Sequence, residues 1–152
     1  MVHSAKDLLR IGLFDGLNGD HRLQLYEVSK QRQLGHNVEV LREGDKGDSF
    51  FAIIKGSVRV TKIIDGTERT LAHLSNGEVF GEMALVEGYP RFATVTTLEP
   101  TDLLEFKKED LDKIFEKFPT IAKQVYWNLS KGLSSKLRYF GENVKEITID
   151  WV

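Results

Sequence analysis

FGEMALVEGYPRFATV, residues 80–95, is the stretch on which the reading of this chain depends. Asn76-Gly77 makes a turn ahead of it, and Val79-Phe80 enters a core. Gly81 removes a side chain just before a short helix-forming run, Glu82-Met83-Ala84-Leu85. A helix N-terminus preceded by glycine offers unpaired N–H groups to an anion, phosphate being the obvious candidate, and lets a ligand come close. Arg91 follows a Gly88-Tyr89-Pro90 turn and opens an apolar strand, Phe92-Ala93-Thr94-Val95. A cation entering a buried strand needs a counter-charge, and guanidinium matches phosphate oxygens with two parallel hydrogen bonds. Glu82 is acceptor-only when ionised, so it suits a sugar hydroxyl rather than a phosphate. Taken alone, a Glu and an Arg nine residues apart are more often a salt bridge or two solvated charges, and spacing does not decide between these readings.

Around this stretch, from Val38 to Lys107, the apolar period is close to two. Val38, Val40, the Phe50–Ile54 run, and Ser57–Ile64 with Val58, Val60 and Lys62 in alternation read as strands. Asp65-Gly66 signals a hairpin, because a type I′ turn needs positive φ. Arg69–Leu74, Phe92–Leu98 and Asp102–Phe106 supply further strands. Many short strands separated by Gly/Asp turns predict a mainly β fold, an antiparallel sandwich or jelly-roll barrel.

On either side the period is helical. Leu8, Leu9, Ile11, Leu13 and Phe14, then Leu17, Leu23, Leu25 and Val28, are interrupted by Gly12 and by GLNGD at Gly16–Asp20, which predicts short helices broken by turns. After Phe106, Leu111, Ile114, Phe115 and Phe118 form one stripe, and Pro119 restarts a helix as a first-turn residue. The second helix carries Val125, Leu129, Leu133, Leu137, Phe140 and Val144 at steps of three or four. It spans roughly 25 residues, about 37 Å at 1.5 Å per residue. A helix that long cannot bury its whole stripe on a small barrel, so part is expected to pack on a protein partner or a second copy. The final residues 147–152 alternate again and read as a short strand or a hydrophobic tail ending near Trp151. The expectation is one domain over 1–152, with a helical lead-in at about 4–34, a β-roll at about 35–107 and C-terminal helices at about 108–145.

Composition narrows the function classes. Hydrophobic residues make up 41% and charged residues 29% of the 152, the balance of a soluble globular chain. A net charge of −2 gives no support to nucleic-acid binding, and with only a handful of residues after the long helix against the roughly 60 of a helix-turn-helix domain, a DNA-binding regulator is not expected. With no cysteine, thiolate catalysis, disulfides and Cys-ligated zinc are excluded. The N-terminus lacks the apolar core of a secretory signal, and no apolar run approaches the roughly 20 residues of a membrane span. A cytoplasmic protein without membrane attachment is expected.

At residues 80–95 the chain closely resembles the cyclic nucleotide-binding domain family, whose phosphate-binding cassette reads approximately F-G-E-[LIM]-A-L, a variable loop, then R-x-A-T-V. Here it is Phe80-Gly81-Glu82-Met83-Ala84-Leu85, the loop Val86–Pro90, then Arg91-Phe92-Ala93-Thr94-Val95. Arg42–Ser49 resembles the family's glycine-rich early turn, Lys55–Val58 its following strand, and Leu13–Leu17 its N-terminal helical segment. The likeness covers about residues 10 to 120. It implies an eight-stranded jelly roll with flanking helices and a long C-terminal helix that acts as a lid or a dimer seam. By the same resemblance Glu82 binds the ribose 2′-hydroxyl and Arg91 the exocyclic phosphate oxygens. The backbone around Gly81, Met83 and Ala84, with Phe92 and Ala93, completes the shell. Many members carry Ala, Ser or Thr where this chain has Phe92. A hydroxyl there can help bind guanine, so its absence favours cAMP over cGMP.

The resulting expectation is a stand-alone, non-catalytic sensing module for a 3′,5′-cyclic nucleotide, with no cofactor and no metal. The competing expectation is a non-binding scaffold of the same fold, its pocket filled by Phe92 or Trp151. Tyr126, Trp127, Tyr139, Phe140 and Trp151 are candidates to stack on a base, and nothing in the sequence chooses among them. His3, His21, His36 and His73 lack metal-ligand spacing, Asp45 and Asp48 lack the calcium-loop pattern, and no nucleophile–base pair stands out.

Overall fold

Among the described residues, eight strands make the body of the molecule: β1 (Lys30–Leu34), β2 (Glu39–Leu41), β3 (Ser49–Lys55), β4 (Ser57–Ile64), β5 (Thr67–Ser75), β6 (Val79–Phe80), β7 (Thr94–Thr97) and β8 (Thr101–Lys107). The computed structural model describes residues 3–143. Within them, 3₁₀ helices at Ala5–Arg10 and Gly12–Phe14 and helix α1 (Gly19–Val28) precede the strands, and α2 (Lys108–Lys117) and α3 (Pro119–Asn143) follow. The strands form two antiparallel four-stranded sheets, ordered β1-β8-β3-β6 and β2-β7-β4-β5. This interleaving of distant strands is the jelly roll that the short alternating runs predicted.

The strand β3, SFFAIIK, shows why the layers form. Its residues Ser49 to Ile53 are all buried, so both faces of this strand are covered. Phe51 and Ile53 point into the roll with Val58, Phe80, Val95 and Leu103. Phe50 and Ala52 point the other way, into a core built with Leu8, Phe14, Leu25, Leu104, Phe106, Leu111, Ile121 and Val125. Phe50 stacks on Phe106 at 4.9 Å between centroids, and Phe14 meets the edge of Phe106 at 5.3 Å. One sheet thus carries the helices on its back and the cavity of the roll on its front.

Several boundaries differ from the sequence reading. The helical lead-in ends at Val28, and residues 30–34 are a strand pairing with β8 in the register Lys30↔Glu105 to Leu34↔Thr101. KQRQL lies at a sheet edge with mostly exposed side chains, so it has no apolar alternation to read, and long-range pairing decides its state. Arg91 is irregular and Phe92 and Ala93 form a bend, so the strand expected from Phe92 starts only at Thr94, as β7. The Asp65-Gly66 turn has φ of 52° and 77°, as a type I′ hairpin requires. Pro119 is the first residue of α3. Along α3, Ile121, Val125 and Leu129 are buried, whereas Leu133, Leu137 and Phe140 are 41%, 53% and 50% exposed. Val144 and the alternating tail at 147–152 lie outside the described residues.

Candidate functional site

The strand β6 ends at Phe80, which stacks on Phe51 at 5.2 Å. Gly81 follows with φ 77°, a left-handed conformation that glycine adopts without strain, and caps a single 3₁₀ turn over Glu82–Leu85. The cap has no side chain to accept from the first N–H groups of that turn. Leu85 is buried in the helical core and anchors the turn, so its other face is held toward the roll.

The backbone of Arg91 is fixed by the Arg42–Asp48 turn. Its N–H donates to Asp45 O at 2.7 Å, and its carbonyl accepts from Gly44 N at 2.9 Å. Its guanidinium lies across Gly47, where a Cβ would run directly into it, and against Gly81, where a Cβ would stand 2.9 Å from Nη1. Nη1 donates to Gly81 O at 3.3 Å and Nη2 to Ser49 Oγ at 3.5 Å, both long for such bonds. Among the described residues Arg91 makes no ion pair. Burial holds its pKa below the ordinary arginine value, against the opposing pull of the Asp48 and Glu105 carboxylates. The result is a partly buried cation with weak partners, a costly arrangement.

Glu82 is 8% exposed, and its Oε1 accepts from Lys136 Nζ of α3 at 3.3 Å. Between Glu82 and Arg91 opens a cavity of about 290 Å3. Leu41, Val60, Ala72, Leu74 and Val95 give it an apolar lining, to which Glu82, Glu87, Arg91 and Lys136 add a few charged groups, the composition of a small-molecule pocket. All seven residues singled out in the sequence, Gly81, Glu82, Met83, Ala84, Arg91, Phe92 and Ala93, line this one cavity. Phe92 sits at the rim, 56% exposed, and does not fill it. Asp45 and Asp48 belong to a turn that holds the arginine, and His3 bonds to Asp102 at 3.0 Å. No cluster of His, Asp and Glu among the described residues could hold a metal ion, and no helix of the described chain is long and apolar enough to cross a membrane.

Sequence reading missed what the long helix brings. Leu133 and Lys136 are the α3 residues lining the cavity, whereas Tyr126, Trp127, Tyr139 and Phe140 are not among its walls. Tyr126 meets the edge of Phe115 at 5.4 Å, and Trp127 and Tyr139 are largely exposed. Trp151 lies outside the described residues. Leu133 was already visible in the apolar stripe, but its facing depends on how α3 lies across the roll.

The profile of the family described as "Cyclic nucleotide-binding domain" matches residues 31–118, more than half of the chain. A cAMP-dependent protein kinase regulatory subunit from Mycosarcoma maydis is 34% identical over 97 residues, covering 64% of this chain and 18% of that protein. A cGMP-dependent protein kinase from Caenorhabditis briggsae is 31% identical over 119 residues, covering 76% and 16%. The crystal structure of the Thermus thermophilus catabolite activator protein superposes with a TM-score of 0.76 at 30% identity, covering 86% of this chain and 60% of that one. The chain therefore spans less than two thirds of each of these relatives. Fold, cavity and sequence agree that the chain belongs to the cyclic nucleotide-binding domain family.

Proposed function

We propose that this chain is a ligand-sensing module that binds a 3′,5′-cyclic nucleotide, cAMP in preference to cGMP, and relays occupancy through α3. The observation that carries the proposal is the half-buried Arg91 guanidinium. Among the described residues it makes two long hydrogen bonds, both to neutral acceptors, beside an apolar cavity, so a cyclic phosphate would supply the anion it lacks. Glu82 would accept from the ribose 2′-hydroxyl. The backbone of Gly81, Met83 and Ala84, with Phe92 and Ala93, would enclose the rest of the sugar phosphate. The apolar lining would take the base. The preference for cAMP rests on Phe92, which brings no hydroxyl for guanine. The relatives include both cAMP- and cGMP-dependent kinases.

Binding would draw the Gly81–Arg91 segment inward and reposition α3, whose exposed Leu133, Leu137 and Phe140 would meet a protein partner or a second copy. The role is regulatory rather than catalytic. A second reading, a scaffold that binds no nucleotide, draws on the Lys136–Glu82 ion pair, which already occupies the carboxylate; the open cavity weighs against it.

Titration calorimetry with cAMP and cGMP tests the proposal. Heat with cAMP at sub-millimolar ligand, weaker with cGMP, is the expected result, and no heat with either defeats it. Arg91→Ala should weaken cAMP binding by about 10- to 100-fold, the range for a charge-assisted bond lost in a partly buried site. Unchanged affinity in that variant would place the site elsewhere.

A further inference from the structure

The second half of α3 is exposed throughout, from Ser130 to Asn143. Asn128 Nδ2 donates to Leu13 O at 2.9 Å and Asp15 O at 2.8 Å, and Leu129 is the last buried residue of the helix. Gly132 comes next on that side, with nothing within 4 Å of where its Cβ would be. Beyond it, among the described residues, one polar tie joins α3 to the roll: Lys136 Nζ to Glu82 Oε1. Lys136 and Glu82 also stand between two hollows. One is the cavity of the roll; the other, also about 290 Å3, lies between α3 and the 3₁₀ helix Gly12–Phe14 and is lined by Asp15, Asn128, Lys131 and Gly132. The helix thus has open space on both sides of its single polar tether.

The geometry points to Lys136 as an affinity-determining residue: α3 offers its ammonium to Glu82 in place of a ligand's sugar hydroxyl, so helix and ligand compete for one carboxylate. This rests on the cyclic-nucleotide reading of the site. Glu82 is buried and acceptor-only, so it is held by whichever donor reaches it. With Lys136 largely exposed, the tether is weak enough for a ligand to displace. Ligand that takes Glu82 frees the second half of α3 toward the neighbouring hollow. The helix is thereby coupled to occupancy through one ion pair, and a ligand without a hydroxyl at that place gains no access to Glu82 and leaves the tether closed.

Calorimetry on the wild type and Lys136→Met, each with cAMP and with 2′-deoxy-cAMP, decides the matter. Removing a cation beside an anionic ligand should weaken binding on general electrostatic grounds, whereas competition predicts the opposite sign. Lys136→Met is expected to tighten cAMP by about two- to fivefold, the range of an exposed ion pair, and to leave 2′-deoxy-cAMP unchanged. Lys131→Met, which removes a nearby charge that makes no ion pair among the described residues, is expected not to tighten either ligand. Weaker cAMP binding by Lys136→Met, or equal tightening of both ligands, overturns the competition. So does an unchanged affinity. If neither wild type nor variant takes up cAMP, the nucleotide reading itself has failed. Amide exchange of the ligand-free proteins reads the tether separately: residues 131–143 should exchange faster in Lys136→Met and in Glu82→Gln, and unchanged exchange removes the tether as well.

Discussion

Lys62 Nζ lies 4.2 Å from the centroid of the Phe92 ring and donates to the Phe92 carbonyl at 2.7 Å. The same ammonium is held by Glu43 Oε1 at 2.9 Å, and Glu43 Oε2 accepts from Ile63 N at 3.0 Å. Phe92 is therefore tied at the rim by a cation–π contact and a backbone bond. The ring is held at the mouth of the cavity, largely exposed.

Phe92→Ala should accordingly change cAMP affinity by less than about tenfold, or about 1.4 kcal/mol. Calorimetry beside Arg91→Ala makes the comparison. A gain of more than about tenfold would mean that the ring obstructs the pocket after all.

The hold on Phe92 depends on pH through Glu43. Its carboxyl is held below the ordinary value of 4.5, first by the Ile63 N–H and then by Lys62. A depressed carboxylate contributes fully above its unfolded value and loses that contribution as pH falls through its folded value. The Lys62–Phe92 contact should thus be constant at neutral pH and loosen only below about 4.5. The Phe92 ring shifts in an NMR titration would follow it, and Glu43→Gln should remove that step.

Gly47→Ala separates positioning from folding. The added Cβ meets the mobile end of Arg91 rather than backbone, so the guanidinium must move while the turn survives. We expect cAMP affinity to fall by about tenfold with a stability loss under about 1 kcal/mol. Calorimetry and urea denaturation together check both halves.

Arg91→Met should raise the melting temperature by a few degrees while abolishing most ligand binding. Burial disfavours the charged guanidinium in the folded protein, and an apolar side chain of similar length removes that cost. Differential scanning calorimetry of the ligand-free proteins measures it, and a lower melting temperature would show that Arg91 is a structural cation.

Phe106→Ala should cost about 3–5 kcal/mol, since the ring is fully buried between Phe14 and Phe50 and joins sheet to helices. Chemical denaturation reads this loss, and a cost under about 1 kcal/mol would mean that the core collapses around the gap.

Much of this was legible along the chain. The alternation of Ser57–Ile64, the Asp65-Gly66 turn and Pro119 at the head of α3 each state a local backbone preference that the surroundings do not oppose. The β1 strand was not legible, because KQRQL becomes a strand only through β8. Lys136 was equally hidden: one lysine on a polar helix surface looks like any other until the helix is laid across the roll.

The Gly81–Ala93 residues are close in sequence, so the family resemblance of one short run named seven of the residues that line the cavity. The tertiary structure decided what surrounds them. Contacts such as Lys136 with Glu82, Gly47 beneath Arg91 and Lys62 with Phe92 join residues 30 or more positions apart, and no local pattern encodes such encounters. They follow from the packing of whole elements, in which each side chain's neighbours are set by the register of sheets and the lie of a helix.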